Sequence, residues 1–488
     1  MIRLWLIEYA RRPLNLVLML AVPVVFVTMS AGTLAEFGDI LSGVADIGNV
    51  EAATAGWAAS VLAGVSAFFH VSASRDADRR LAVVGAQPYR ITVSRLCSTF
   101  ALAIASTFGA LIAVWARSDV AMNTELVGSV LIFAATYTGI GVVVGSLVRS
   151  EMNGSLIVVF LWIFDVFFGP AMGGTSPFLR VFPLHYPTLM ITGLASGHAW
   201  RLGDTGISLL WATFAVTTAA LFLLVSTSRR APRPNGSPHR RQRVAIALGS
   251  ASRQLRRTPV MWVLLLGLPA AFITTSIAIT PDSPTPVELV EDGRSRLTML
   301  SMAQLHGAIM VPITVGFLSS LVGLFVVLDS SQANRRLSLT RFGAWEILAV
   351  RLAVVFAATS LATVVSVAVT AFSFEPRRWP QFVAANLLVA LTYAMIGVIV
   401  GPLLGRLGGL YVMLVMPFID VGIAQNAMFD AAPPTWGRYL PAHGAVRVMM
   451  DGAFTPTFDE SGSALLAGLW LIALGSCAFA VFRRTVVT

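Results

Sequence analysis

The sequence predicts an all-α polytopic membrane protein. About 12 transmembrane helices are expected, in two parallel six-helix repeats with N-terminal elbow helices. Three observations predict it: the composition, the placement of arginine between apolar runs, and the recurrence of one set of landmarks in both halves. Apolar residues make up 56% of the 488 residues and charged residues only 12%. A soluble domain carries about 25% charged residues, so this chain has too few to cover a water-facing surface of its size.

With an apolar run of about 20 residues as the unit, six spans are expected in the first half, near 14–33, 52–73, 93–114, 127–148, 156–170 and 207–225. Six more follow near 260–279, 305–328, 347–371, 382–404, 407–427 and 464–482. The fifth run is short and ends in Gly169-Pro170, so a broken or re-entrant element is expected after it.

The net charge of +10 comes entirely from arginine, with 34 basic residues and no lysine. The arginines form short clusters in alternate loops, the pattern of topogenic charge, which places the protein in the plasma membrane with both termini cytoplasmic. Arg377 and Arg378, in a short outer loop, are the dissenting pair, while the outer segment 281–296 holds Asp282, Glu288, Glu291 and Asp292. No basic face or stripe points to nucleic acid. Cys97 and Cys477 lie singly in apolar spans, which implies neither a disulfide framework nor a metal site. The stretch Met1 to Arg12 lacks a small-residue cleavage site and is expected to be retained.

The landmarks recur in order. Pro13 with Pro23 matches Pro259 with Pro269 at an offset of 246. At an offset of 256, Arg79-Arg80-Leu81 matches Arg335-Arg336-Leu337, Arg95 matches Arg351, and Thr136-Tyr137 with Gly141 and Gly145 matches Thr392-Tyr393 with Gly397 and Gly401. Asp165 then matches Asp420, and Pro183 with His185 matches Pro441 with His443. An even number of spans per repeat inserts both copies the same way up, with a pathway expected between them. The expected domains are 1–228 and 244–488, joined by a cytoplasmic linker at 229–243 rich in Arg, Pro, Ser and Gly.

Four features could carry function. Basic amphipathic stretches bearing Arg11 and Arg12 before Pro13, and Arg256 and Arg257 before Pro259, suit interfacial helices, or else plain positive-inside flanks. The segment after the second span of each half is longer than a connection needs. It carries Asp76, Arg79, Arg80, Leu81, Pro88 and Arg90 in the first half, and Arg335, Arg336, Leu337, Trp345 and Glu346 in the second. It reads as a docking surface, or as a topogenic loop. Asp165 and Asp420 lie inside apolar runs, where a carboxylate costs about 2.5 to 3.5 kcal/mol and must face the bundle interior or be protonated. With Tyr137 and Tyr393 they are the intramembrane polar candidates, open to substrate contact, proton relay or a hydrogen bond to a neighbouring helix. Pro183, His185, Pro441 and His443 suggest turns or re-entrant caps at the outer mouth, and no acid or Cys stands at metal-ligand spacing beside either histidine. Without lysine no Walker phosphate loop can be present, so no catalytic residue is assigned.

This layout resembles the type-two ABC exporter permeases of the bacterial drug- and antibiotic-resistance class. The resemblance covers nearly the whole chain, once per half, as if two six-span units were fused. It rests on the elbow stretches, on Arg79-Arg80-Leu81 and Pro88-Tyr89-Arg90 in the place of the coupling loop, and on the outer segments before the sixth and twelfth spans. Asp76 stands where that family has an acid, whereas Gln332 replaces it in the second half, and neither half keeps the usual Gly-Thr. The resemblance implies a transport subunit that is not itself an enzyme. It further implies export of a lipophilic or amphiphilic small molecule, contact with membrane lipids, and a partner ATPase, as two copies or one tandem chain, that holds ATP and Mg. A proton-coupled secondary drug transporter of the major facilitator type is the alternative, since Asp76-Ala77-Asp78-Arg79-Arg80 is similar to that family's loop after its second span.

Overall fold

A computed structural model describes residues 13–42, 47–117, 122–172, 177–195, 202–228, 259–330 and 344–487. The chain divides into two compact units, Met1–Arg240 and Arg241–Thr488. The first contains α1 (Pro13–Ser42), α2 (Ile47–Val83), α3 (Pro88–Arg117), α4 (Thr124–Leu147), α5 (Glu151–Phe167), α6 (His185–Ala195) and α7 (Leu202–Ser228). The second contains α8 (Pro259–Ile279), a hairpin of β1 (Pro284–Glu291) and β2 (Arg294–Ser301), then α9 (Met302–Asp329), α10 (Ala344–Thr370), α11 (Trp379–Pro417), α12 (His443–Phe454) and α13 (Ser461–Val487).

Nine helices are long and apolar enough to cross a membrane among the described residues, so the protein is a multi-pass helical membrane protein. The three further spans expected from the sequence have separate explanations. α5 is only 17 residues long. α8 contributes the shorter apolar stretch Leu265–Ile279. α11 contains two expected spans in one run of 39 residues, broken at Gly405, whose φ of 70° favours glycine. α5 begins five residues before the expected span, because Ser150 caps it by accepting the Asn153 N–H. The elbow stretches with Arg11, Arg12, Arg256 and Arg257, the linker at 229–243, and Arg335, Arg336 and Leu337 lie outside the described residues, as do the side chains of Trp345 and Glu346.

Segment 281–296, expected as an outer loop, lies largely within the β-hairpin. Asp292 and Gly293 both take positive φ, 52° and 70°, which is the two-residue turn whose twist matches that of paired strands. Glu291 pairs with Arg294, and Val287 with Thr298. Thr285, Val287 and Leu289 are buried on one face. The hairpin is pinned by the Glu288 N–H donating to the Ala431 carbonyl at 2.8 Å and by Arg447 Nη1 donating to the Glu288 carbonyl at 3.2 Å.

Within a bilayer the hydrophobic effect does not drive helix against helix, so close packing relies on small residues. α2 and α9 are the most buried spans of their units, and α7 and α13 the most exposed. A Cβ added at Gly141 on α4 would fall on the Gly64 carbonyl of α2, and one at Gly397 on α11 would fall on the Ser320 carbonyl of α9. One turn on, Gly145 faces the Phe68 carbonyl and Gly401 the Leu324 carbonyl, at 3.0 and 3.3 Å from the added Cβ. Positions 64 and 68 correspond to 320 and 324 at the same offset of 256 found for the glycines. The repeated glycines therefore mark one helix contact made in each unit. On α3, Ile104, Phe108, Ile112 and Trp115 form an exposed apolar stripe at helical spacing, suited to lipid.

The dissenting arginines have a local partner. Arg378 donates to Asp451 Oδ2 at 2.5 Å, and the N–H groups of Arg377 and Arg378 donate to the carbonyls of Ala453 and Gly452. Arg378 is thus paired inside its own unit with a buried acid on α12.

Candidate functional site

The repeated polar residues converge. In the first unit, Tyr137 Oη on α4 donates to Asp165 Oδ2 on α5 at 2.8 Å, and the Leu184 N–H donates to Asp165 Oδ1 at 2.9 Å. In the second, Tyr393 Oη donates to Asp420 Oδ2 at 2.6 Å, and the Ala442 N–H donates to the same oxygen at 3.0 Å. Leu184 and Ala442 each follow the repeated proline, Pro183 or Pro441, and precede the repeated histidine, His185 or His443, that opens α6 or α12. All four side chains are essentially sealed from solvent. Each buried carboxyl therefore fastens the short helix before the last span to two preceding helical segments.

Local structure sets this up. Asp420 lies in a π-helical turn, Phe418–Ala424, that follows Pro417. Proline removes an N–H from the helical ladder, and π turns recur at functional positions. Asp165 lies near the C-terminus of α5, which ends before Gly169-Pro170. Two short 3-10 helices, Pro170–Met172 and Pro177–Val181, follow α5 and mark a break after the fifth span, and Pro183 lies in the turn before α6. α6 is also tied to α2, since Trp57 Nε1 donates to Thr188 Oγ1 at 3.5 Å.

The second latch is larger. Gln425 Nε2 donates to the Gly437 carbonyl at 2.7 Å and to Asp420 Oδ1 at 3.5 Å. This orients its Oε1 toward His443 Nδ1, 2.8 Å away, so the imidazole carries its proton on Nδ1. Burial, with the Arg447 charge as a smaller cause, lowers the His443 pKa. His185 is likewise lowered, by burial and then by Arg180.

The second candidate region is at the arginine-rich end. α2 continues as helix through Val83, so Asp76, Arg79, Arg80 and Leu81 occupy its last turns rather than a loop. The helix closes with the Ala86 N–H on the Leu81 carbonyl and the Gly85 N–H on the Ala82 carbonyl, a Schellman motif that needs the positive φ of 96° at Gly85. Pro88 then opens α3. The resulting tip exposes Arg80, Arg90, Tyr89, Val83 and Val84, the two valines at 85% and 81%. Arg79 instead turns back, its Nε donating to the Ser226 carbonyl of α7 at 3.3 Å.

Residues 55–223 match the family model described as ABC-2 family transporter protein. This match supports an ABC-2 type permease and gives no support to the major facilitator alternative. It runs from within α2 to within α7, and so includes both the tip and the Tyr137–Asp165 latch. A search of curated proteins gave no match.

Several residues of the ABC-2-like region and its counterpart escaped the sequence reading. Gln425 has no equivalent in the first unit, so duplication could not flag it. Val83 and Val84 lie between Leu81 and Gly85 with no charge or repeated landmark to single them out. The hairpin carried a legible signal, Asp292-Gly293 between alternating apolar residues, but its acids were read for topology alone.

Proposed function

We propose that the chain is the membrane-spanning subunit of an ABC exporter, two ABC-2 type permease units fused in one polypeptide with both termini in the cytoplasm. The observation that carries this reading is the family match over residues 55–223, which includes the exposed α2–α3 tip. In this reading the tip is the surface on which a separate ATPase, two copies or one tandem chain, docks. ATP and Mg are held by that partner, and the present chain supplies the path. The cargo is a lipophilic or amphiphilic small molecule, drug-like, antibiotic-like or lipid-like, as suits spans with few fixed charges. Nucleotide binding acts by population shift, favouring whichever arrangement of the spans binds the closed ATPase better.

The test is isolation of the full-length chain from its native membranes in mild detergent, with mass spectrometry of what accompanies it. A Walker-motif ATPase is expected in stoichiometric amount, and transport by reconstituted vesicles should stop with vanadate and persist with a protonophore. Transport that ignores vanadate and collapses with the protonophore would overturn the assignment.

The tip makes a separate prediction. The triple variant Arg80→Glu, Arg90→Glu and Val84→Asp alters only exposed positions and should leave the size-exclusion profile unchanged. It should weaken recovery of the ATPase by about tenfold or more, since reversing charges at an interface removes attraction and adds repulsion. Undiminished recovery would remove the tip from the docking surface.

A further inference from the structure

A buried ionic cluster lies one to two helical turns behind the tip of the first unit. Arg95 on α3 donates to both carboxylate oxygens of Asp78 on α2, Nη2 to Oδ1 at 2.7 Å and Nε to Oδ2 at 2.9 Å. Asp78 and Arg95 are 2% and 4% exposed. His70 Nε2 lies 3.2 Å from Arg95 Nη1 and 2.8 Å from Ser98 Oγ. A guanidinium N–H can only donate, so Nε2 accepts from Arg95. On the same turns of α2, Arg75 donates to the carbonyls of Gly145 and Val148 at the end of α4, the second at 2.8 Å, and Arg79 reaches the end of α7. Asp78, Arg75 and Arg79 thus fasten α3, α4 and α7 to one stretch of α2.

Two antiparallel helices joined only by a turn would splay when their tip is loaded. Here the Schellman turn closes the hairpin at its end and the bidentate pair closes it at its base. A buried pair of this kind is weak evidence of net stability, because desolvation offsets the attraction, yet losing one partner leaves an uncompensated charge. Its stronger consequence is a fixed geometry. In the second repeat Asn334 stands at the position of Asp78 and Val326 at that of His70, while Arg351 keeps the position of Arg95. The acid and the histidine are therefore features of the first half alone.

We propose that Asp78 and Arg95, backed by His70, are positioning residues that make the α2–α3 tip of the first unit a rigid lever, so that force applied at Val83, Val84 and Tyr89 moves α2 and α3 as one body. This rests on the reading that an ATPase loads the tip, but its first test needs no ATPase. Hydrogen exchange of the full chain in lipid nanodiscs is measured for wild type, Asp78→Asn, the neutral pair Asp78→Asn/Arg95→Gln, and the swap Asp78→Arg/Arg95→Asp. Exchange over residues 76–97 should rise about tenfold or more in the first two variants, while residues 379–454 stay at wild-type rates, because the opening is local. The swap should restore much of the protection. If Asp78→Asn does not fold, the neutral pair, which leaves no lone charge, decides the question by the same measurement.

The second arm uses the complex with the ATPase that accompanies the chain. Vanadate with ATP should change exchange in the far half of α3, residues 100–117, in wild type. In the neutral pair the ATPase should still be recovered and the change should vanish. Wild-type exchange at the tip in the neutral pair, or a vanadate response that survives it, overturns the proposal. A wild-type chain that recovers no ATPase would instead overturn the function assigned above, and the nanodisc measurement would still judge the lever.

Discussion

Gly397→Leu and Gly141→Leu are each expected to reduce the folded protein sharply, seen as a diminished monodisperse peak when a fluorescent fusion is solubilised and run on size exclusion. Both glycines pack against a backbone carbonyl of the neighbouring span, Ser320 or Gly64, at a separation no real Cβ shows. A backbone atom cannot rotate away as the end of a flexible side chain can, so the whole helix must shift. Such overpacking costs about 1–3 kcal/mol, occasionally more, and a leucine adds three carbons beyond the offending Cβ. Against a total stability of about 5–15 kcal/mol this is a large fraction. Gly128→Leu on the same helix as Gly141 is the control, because a Cβ there meets nothing within 4 Å, and it should fold normally. A wild-type profile for Gly397→Leu would mean that α9 and α11 do not touch as described.

These glycines also show why much of the architecture could be read in advance. Composition alone demanded a helical membrane protein, because helices satisfy their own backbone hydrogen bonds in lipid. Duplication went further. Tyr137, Asp165 and Pro183-Leu184-His185 are scattered over nearly 50 residues, and their counterparts recur together. The contacts explain the grouping, since one carboxyl binds both other elements in each unit. What repetition could not show is what differs between the halves. Among the described residues, the hairpin at 284–301, the Gln425 bridge and the Asp78–Arg95 pair each occur in one half only. Asp78 was visible as a charge in a basic segment, but helical continuation through Val83 turned it inward, and no periodicity in a segment so short distinguishes an inward acid from a solvated one.

The Asp420 carboxyl is the position where a single side chain should matter most after the glycines. Asp420→Leu leaves two donors without an acceptor, the Tyr393 hydroxyl and the Ala442 N–H, while the Gln425 amide loses its longer bond and keeps the Gly437 carbonyl. Each buried unsatisfied group costs about 1–3 kcal/mol, so the loss should be at least about 2 kcal/mol. Asp165→Leu likewise orphans two donors, the Tyr137 hydroxyl and the Leu184 N–H, and should cost about as much, whereas Tyr393→Phe, which removes one donor from a carboxyl that keeps others, should be milder. Thermal unfolding in nanodiscs gives the ranking, and limited proteolysis around α12 should report the first segment to loosen. The same series separates a latch from a proton relay. A latch loses transport in step with stability, and Asp420→Asn, which keeps one acceptor oxygen for the Tyr393 hydroxyl and the Ala442 N–H, should recover a good part of both. A relay would lose transport in Asp420→Asn while the unfolding temperature stayed near wild type, and that result would remove the latch as the role of this residue.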